Sequence, residues 1–335
     1  MNINISSYSV NGSQMDYFSF GTGAKPFVML PGIYTKNITT LAQAVAGAYE
    51  DFSEIFTVYV FDRLSQIPKD YSVEKMAADT AAVLDGLGVK KACVFGVSMG
   101  GMIAQSLAVQ RPDLVDKLVL SSTTSRLTQE TLTTFDDVLR FAESGDFDSL
   151  SESFAKAVYT PTFFEQFREP ILASLKGSSR EDLERFAATT RSLRGFDIYD
   201  ELGKIDCPTL VIGAGEDKLL GVQASKDIAE KIGAELYIYE GYGHAVYDEA
   251  PDYKERLKDF FTRNAVVIKP GKYRHFKGNM YQVLGVAKHS ETLEEMVVYR
   301  ALYGEGELWV RPAGMWNETV ERDGKVFPRF EYVGE

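Results

Sequence analysis

The chain has 335 residues, 45% of them hydrophobic and 25% charged, with a formal net charge of −12. This composition is that of an ordinary globular protein, and the length suits one large domain with a smaller one. The acidic excess repels phosphate backbones, and no stretch approaches the roughly 18 apolar residues of a membrane helix. We therefore expect neither a nucleic acid nor a membrane as a partner.

The first residues of the chain and the number of cysteines indicate in which cellular compartment the protein is expected. The opening run MNINI has no basic segment followed by an apolar one, which a signal peptide would have. Cys93 and Cys207 are too few for a disulfide framework, and they lie in or beside strand-like runs. We expect both thiols to stay reduced and the protein to be cytoplasmic.

Over the first 120 residues, apolar runs of strand length alternate with helical patterns. The runs are apolar on both faces, which is typical of buried parallel strands. They lie at 27–30, 56–61, 92–95 and 117–120. Helices are predicted at 72–87 and 99–110, the first capped by Ser72 and the second ended before Pro112. Repeated strand–helix–strand units predict an α/β fold with a doubly wound, mostly parallel sheet.

From about residue 126 to 202 the pattern is wholly helical, and the strand rhythm then returns. Strands and helices are predicted alternately at 209–212, 222–231, 236–239 and 251–263. A helical insertion between strands of such a sheet is expected to cover the strand ends, where these sheets bind ligands. Residues 1–264 are therefore predicted to form one α/β domain with a helical cap over about 126–202.

After residue 264 the composition changes again. Pro270 and Gly271 mark a linker, and short runs of period-two alternation follow, rich in Tyr, Val, Trp and Gly. This pattern predicts a small all-β domain at 270–335, either barrel-like or a compact sandwich. From residue 265 onwards, ten Lys and Arg balance ten Asp and Glu, so the acidic excess lies in residues 1–264.

The run GVSMG at 96–100 lies between a predicted strand and a predicted helix, which is the setting of a nucleophile elbow. In such a turn the nucleophile has a strained backbone, and the side chains around it must be almost absent. Gly96 and Gly100 supply that room. An ordinary tight turn is the alternative, but the strand before the run and the helix after it favour Ser98 as a catalytic nucleophile.

A serine hydroxyl is a poor nucleophile until a base takes its proton. Among three histidines, His244 follows the predicted strand at 236–239 on a glycine-rich loop, at the sheet edge where Ser98 is expected. His275 and His289 lie in the tail without metal-ligand spacing, and we expect them to be structural or exposed. His244 is therefore the predicted general base.

Asp217 is predicted to orient that base. It ends the run GAGED, directly after the strand at 209–212, and it completes the chain order Ser, Asp, His expected with this type of elbow. Glu216 is an adjacent alternative. Another would be an acid after the strand at 117–120, but the run SSTTS that follows this strand contains no carboxylate.

An oxyanion hole needs two backbone N–H donors directed at the developing charge. Met99, which follows the nucleophile, is predicted to supply one. The loop LPGI at 30–33 is expected to supply the other through Ile33, with Gly32 permitting close approach.

Two further groups of residues are expected around this site. Asp62 and Arg63, which follow the strand at 56–61, are predicted to form an ion pair at its rim. Most aromatic side chains of the cap are expected to pack the cap onto the sheet, and a minority to face an apolar part of the substrate. They are Phe135, Phe141, Phe154, Tyr159, Phe163, Phe164, Phe167, Phe186 and Phe196.

Together these motifs resemble the α/β-hydrolase superfamily over residues 10–264. The resemblance rests on LPGI at 30–33, GVSMG at 96–100, GED at 215–217 and GH at 243–244. Within the superfamily the chain is similar to capped small-molecule esterases and enol-lactone hydrolases. The tail at 270–333 resembles a small bacterial β domain that is mostly found alone and has no assigned activity.

The predicted triad and the resemblance imply a serine hydrolase. We expect it to cleave a small-molecule ester, thioester or lactone with an apolar part, through an acyl-enzyme on Ser98. The same triad could instead serve C–C bond hydrolysis or cofactor-free perhydrolysis, because the fold alone does not decide the reaction. We expect no cofactor and no metal. For the tail, a partner-binding or dimerisation module is the non-enzymatic alternative, which leaves a homo-oligomer open.

Overall fold

The computed structural model describes most of the chain. The described residues are 1–175, 177–263, 268–291, 295–316, 318–322 and 325–334. The chain divides into two units, Met1–Phe261 and Thr262–Glu335. Asn264, where the sequence places the domain boundary, lies outside the described residues.

Among the described residues of the first unit, eight strands form one sheet. They are β1 (Ile3–Val10), β2 (Ser13–Phe20), β3 (Lys25–Leu30), β4 (Phe56–Leu64), β5 (Ala92–Val97), β6 (Val115–Ser121), β7 (Thr209–Ala214) and β8 (Glu235–Tyr239). Their spatial order is β1-β2-β4-β3-β5-β6-β7-β8. Strands β3 to β8 pair in parallel, whereas β1 and β2 pair antiparallel. The predicted α/β fold with a mostly parallel sheet is confirmed.

Strands β1 and β2 form a hairpin at one edge of the sheet, which the sequence analysis did not predict. Asn11 and Gly12 make its two-residue turn with φ angles of 49° and 79°, a geometry that suits the twist of paired strands. Most of β1 is exposed or half-buried, so its apolar signal is weaker than that of the central runs. Pairing with β2 therefore stabilises this strand more than burial does.

Helices cover both faces of the sheet. In chain order they are α1 (Ala42–Ala48), α2 (Val73–Gly86), α3 (Met99–Gln110), α4 (Gln129–Ser144), α5 (Phe147–Val158), α6 (Pro161–Leu175), α7 (Arg180–Arg191), α8 (Val222–Ile232), α9 (Val246–Glu249) and α10 (Tyr253–Thr262). None of these helices, in their described parts, has the length and apolar character of a membrane span. Val28 and Leu30 of β3 belong to the apolar core on the side of α2, α3 and α8, whereas Phe27 and Met29 belong to the core on the side of α1 and α10. Because both faces are covered, the central strands are apolar throughout.

Helices α4 to α7 form a cap inserted between β6 and β7. Helices α4, α5 and α7 share an apolar core around Leu139, Leu150 and Phe186. Gly145 ends α4 with a left-handed φ of 72°, and reciprocal hydrogen bonds between Ser179 and Asp182 begin α7. The cap therefore has folding signals and a core of its own.

The second unit is all-β in its described part, as the sequence predicts. Its strands are β9 (Gly271–His275), β10 (Met280–Lys288), β11 (Glu295–Ala301), β12 (Leu308–Pro312), β13 (Thr319–Arg322), β14 (Lys325–Pro328) and β15 (Phe330–Gly334). Five form an antiparallel sheet in the order β12-β11-β10-β9-β15, and β13 pairs with β14. Trp316 is fully buried and stacks on Phe330 with ring centroids 3.8 Å apart. Among the described residues, the β13–β14 hairpin pairs with neither edge strand of the five-stranded sheet. The described pairings therefore do not close this sheet into a barrel.

Candidate active site

Ser98 lies in a sharp turn between β5 and α3. Its backbone has φ 52° and ψ −121°, a strained conformation for a residue with a side chain. Two hydrogen bonds hold the turn: the Ser98 N–H donates to the Ser121 carbonyl at 3.0 Å, and the Thr123 hydroxyl donates to the Ser98 carbonyl at 2.7 Å. The surrounding structure thus enforces the conformation that the GVSMG run predicts.

Two glycines make this turn possible. A Cβ on Gly96 would lie 2.5 Å from the Gly100 carbonyl oxygen, and a Cβ on Gly100 would lie 1.8 Å from the Leu30 carbonyl oxygen. Real Cβ atoms essentially never come closer than 3.0 Å to another heavy atom. Gly96 therefore allows helix α3 to begin this close to β5, and Gly100 allows it to lie this close to the end of β3.

Asp217 and His244 are in direct contact at the carboxyl edge of the sheet. Asp217 Oδ2 lies 2.9 Å from His244 Nδ1, and both side chains are buried. The other oxygen, Oδ1, accepts the N–H groups of Leu219 at 2.9 Å and Leu220 at 3.0 Å. Burial alone would raise the pKa of Asp217, but the His244 ring and these N–H groups outweigh it and hold the pKa below its ordinary value.

The loop that bears His244 is held by the cap. The Ala245 N–H donates to the carbonyl of Val158, at the end of α5, at 2.9 Å. A Cβ on Gly243 would lie 3.0 Å from that same carbonyl oxygen and from the Thr160 nitrogen. Glu249 accepts the Thr160 N–H at 3.0 Å and the Thr160 hydroxyl at 2.7 Å. The cap therefore positions the imidazole, a contact that no pattern in the sequence indicates.

The loop that bears Ile33 passes beside the nucleophile. A Cβ on Gly32 would lie 3.3 Å from Ser98 Cβ and 3.9 Å from Ser98 Oγ. Met99 is the first residue of α3, and the first N–H groups of a helix have no partner within the helix. The structure therefore brings both predicted donor segments to the nucleophile.

The predicted ion pair between Asp62 and Arg63 is wrong. Asp62 pairs with Arg185 of cap helix α7, with Nη2 2.8 Å from Oδ1, and it accepts the Ile38 N–H at 3.0 Å. Arg63 donates instead to the Pro31 carbonyl, directly before Gly32. A β-bulge interrupts the pairing of β4 with β2 between Phe61 and Leu64, and each of the two side chains has a partner from another segment.

Arg63 and Arg185 are functional candidates that the sequence analysis did not assign. Burial lowers the pKa of the Arg63 guanidinium to about 10, and the charge of Asp62 opposes this shift, so Arg63 stays charged near neutral pH. Arg185 also donates to the Arg63 carbonyl at 2.9 Å and the Leu64 carbonyl at 3.1 Å. The two arginines thus tie the cap, the end of β4 and the 31–33 loop together.

A cavity of about 430 Å³ opens beside Ser98. Gly32 and Val97, which flank Ser98, contribute to its wall, and most of the other lining side chains are apolar. Of the cap aromatics, Phe154 and Tyr159 line the cavity. Among the residues that the structure describes, no three His, Cys, Asp or Glu side chains are grouped as metal ligands would be.

Comparisons with known proteins agree with this architecture. The family model described as the alpha/beta hydrolase fold matches residues 25–251, and that of the protein of unknown function DUF1653 matches residues 271–332. A structure of MGS-M2, an alpha/beta hydrolase enzyme from a Medee basin deep-sea metagenome library, superposes with a TM-score of 0.71. It is 23% identical, over 79% of this chain and 100% of that one.

Two relatives illustrate the range of named activities. A protein of Agrobacterium fabrum named carbamate hydrolase RutD is 26% identical over 63% of this chain and 85% of its own length. The 3-oxoadipate enol-lactonase 2 of Acinetobacter baylyi is 22% identical over 65% of this chain and 81% of its own length. The chain therefore belongs to the α/β-hydrolase fold family and is a hydrolase of that family, followed by a DUF1653 domain.

Proposed function

We propose that this hydrolase is a serine hydrolase that forms an acyl-enzyme on Ser98. The main observation is the buried contact between Asp217 and His244 at the sheet edge where the strained turn presents Ser98. Ser98 Oγ attacks the substrate carbonyl while His244 Nε2 takes its proton, and the departing alcohol or thiol receives that proton. Water, deprotonated by the same imidazole, then attacks the acyl carbon and releases Ser98.

Asp217 orients the base and does not transfer protons. Its Oδ2 accepts Nδ1–H of His244, so the lone pair of the neutral ring is on Nε2, where Ser98 needs it. The bonds from Leu219 and Leu220 keep the carboxylate from rotating away. The lowered pKa of Asp217 keeps this carboxylate ionised as the imidazolium forms.

The N–H groups of Ile33 and Met99 stabilise the oxyanion of the tetrahedral intermediate. The close approach of Gly32 to Ser98 and the position of Met99 at the start of α3 support this assignment. Each such donor stabilises the transition state by about 3 kcal/mol. Arg63, bound to the Pro31 carbonyl, is a positioning residue for this loop.

We assign a small-molecule ester, thioester or lactone with an apolar part as the substrate. The apolar cavity beside Ser98 has room for such a group. The names of the relatives, one for a carbamate and one for an enol-lactone, also support attack on a small carbonyl compound.

The test compares Ser98→Ala with the native chain. The variant should lose turnover of a p-nitrophenyl ester by about 10⁴-fold or more, and it should lose labelling by a fluorophosphonate. Ser106→Ala is the matched control, since it removes a buried hydroxyl with no partner among the described residues from the same helix α3. The proposal fails if Ser98→Ala retains activity, or if both variants lose it equally.

A further inference from the structure

One part of the cavity wall carries charged side chains, whereas most of the remaining wall is apolar. We call it the polar wall and define it as Tyr159, Asp248 and Lys254. These residues belong to three separate elements: the end of α5, helix α9 and helix α10. None of them belongs to the proposed triad or oxyanion hole. Polar groups that face an otherwise apolar pocket are the usual determinants of ligand orientation.

Asp248 lines the cavity through an exposed side chain. Its Oδ2 accepts the Tyr159 hydroxyl at 3.0 Å, and within the described residues Oδ1 has no hydrogen-bond partner. Desolvation by the protein packed around it raises the pKa of the Asp248 carboxyl group. A second carboxylate, Glu249, lies nearby but is satisfied by Thr160. Asp248 therefore has an acceptor available to a ligand.

Lys254 supplies a donor on the same wall. Its ammonium lies 5.7 Å from the centroid of the buried Tyr49 ring, and its charge acts on Asp248. In the described part of the chain it makes no ion pair within 4.0 Å and no hydrogen bond. The ammonium is therefore held at the cavity by its aliphatic stem and by Tyr49, and its donors are available to a ligand.

The chemistry of these two groups narrows the choice of ligand. An anionic group on the ligand would be attracted by the Lys254 ammonium but repelled by the carboxylates of Asp248 and the nearby Glu249. A cationic group would be attracted by the Asp248 carboxylate but repelled by the Lys254 ammonium. An alkyl group would bury both charges without partners, which is costly. A neutral group with one donor and one acceptor satisfies both residues, and an amide has both within two bonds.

Resting on the proposed function, we infer that the substrate carries a neutral amide near its scissile carbonyl. The amide N–H donates to Asp248 Oδ1, and the amide oxygen accepts from Lys254 Nζ. The apolar atoms between the amide and the scissile carbonyl occupy the cavity toward Gly32 and Val97. The polar wall thus selects among esters that the triad alone would cleave alike.

The test uses the full-length protein and four p-nitrophenyl esters with acyl chains of matched length. They are the heptanoate, the 4-acetamidobutanoate, the adipate monoester and the 6-aminohexanoate. The native chain should prefer the acetamido ester, mainly through a lower KM. Lys254→Met should reduce the ratio of kcat/KM for the acetamido ester to that for the heptanoate by about tenfold. Asp248→Asn should lower the same ratio, and Lys226→Met, an exposed lysine of α8 outside the cavity, should not.

Two kinetic results would overturn the assignment: a kcat/KM ratio that Lys254→Met leaves within twofold of the native value, or a preference of the native chain for the adipate or 6-aminohexanoate ester. If the native chain cleaves none of the esters, the proposed function fails first. Binding then tests the polar wall separately, by calorimetric titration of Ser98→Ala and of the Ser98→Ala, Lys254→Met double variant with the acetamido and heptanoate esters. The assignment is also overturned if the two variants have the same relative affinity for the esters.

Discussion

Replacing Gly100 by alanine should damage both the stability and the activity of this hydrolase. The added Cβ would lie 1.8 Å from the Leu30 carbonyl oxygen and 2.7 Å from the Pro31 carbonyl oxygen. Since contacts under 3.0 Å essentially never occur, α3 and the end of β3 must separate by more than 1 Å. The obstructing atoms are backbone atoms of a central strand and the loop after it, so no side-chain rotation relieves the clash.

The expected cost follows from this geometry. Overpacking in a core lowers the free energy of unfolding by about 1–3 kcal/mol. Because the backbone of Leu30 and Pro31 cannot yield easily, we expect the upper end of this range, about 3 kcal/mol, for Gly100→Ala. A gain of up to about 1 kcal/mol in helix propensity offsets part of this. The displaced 31–33 loop bears Ile33, and a shift of about 1 Å in a catalytic group can cost about 100-fold in rate. We therefore expect a net loss of about 2–3 kcal/mol in unfolding free energy and about 100-fold in kcat.

Urea denaturation and ester hydrolysis below the unfolding transition measure the two effects. Gly47→Ala is the matched control, because its Cβ would meet nothing within 4 Å and Gly47 is exposed on helix α1. It should raise stability by about 0.5–1 kcal/mol and leave kcat unchanged. A Gly100→Ala variant as stable and as active as the native chain would refute the close-packing argument.

Two further predictions concern the acid of the pair and the second unit. Asp217→Asn should lower kcat about 10⁴-fold, since the amide favours the wrong tautomer of His244; a loss under tenfold would contradict this. Because the native pKa of Asp217 is lowered, its carboxylate stabilises the fold above about pH 3.9, and this part is lost as pH falls further. The urea midpoint of Asp217→Asn should therefore vary less with pH in the acid range. Trp316→Ala should destabilise the second unit by about 3–5 kcal/mol, measured by the fluorescence of Trp309, while ester hydrolysis is unchanged; an unaltered unfolding midpoint would refute the stacking with Phe330 as a main source of stability.

The sequence predicted much of the first unit because its signals are local. The strand at 92–95, the glycines of the GVSMG run and the helix after it lie within a few residues of one another. These signals therefore indicate the turn at Ser98 before the segments that hold it are known. The β1–β2 hairpin was missed, although Asn11 and Gly12 mark its turn. An edge strand shows only a weak apolar pattern, because most of its side chains are not buried.

The wrong prediction of an ion pair between Asp62 and Arg63 shows what local sequence patterns cannot indicate. Two neighbouring residues of opposite charge suggest a pair, but each of them has a partner from another segment of the chain. The actual partner, Arg185, lies on a cap helix 123 residues further along the chain. No periodicity or spacing indicates such a contact, since it depends on how the cap packs.

By itself, the sequence determined the α/β fold, the all-β second unit and Ser98, Asp217 and His244 as the candidate triad. The signals are the spacing of apolar residues, the positions of glycines and the residues that directly follow a predicted strand. Each is a property of a short segment, so it can be recognised without a structure. Only the tertiary structure decided the contact of Asp217 with His244, the support of the His244 loop by the cap, and the polar wall. In that wall the Tyr159 hydroxyl donates a hydrogen bond to Asp248, a residue 89 positions further along the chain. Contacts of this kind arise from the packing of whole elements, which no short segment encodes.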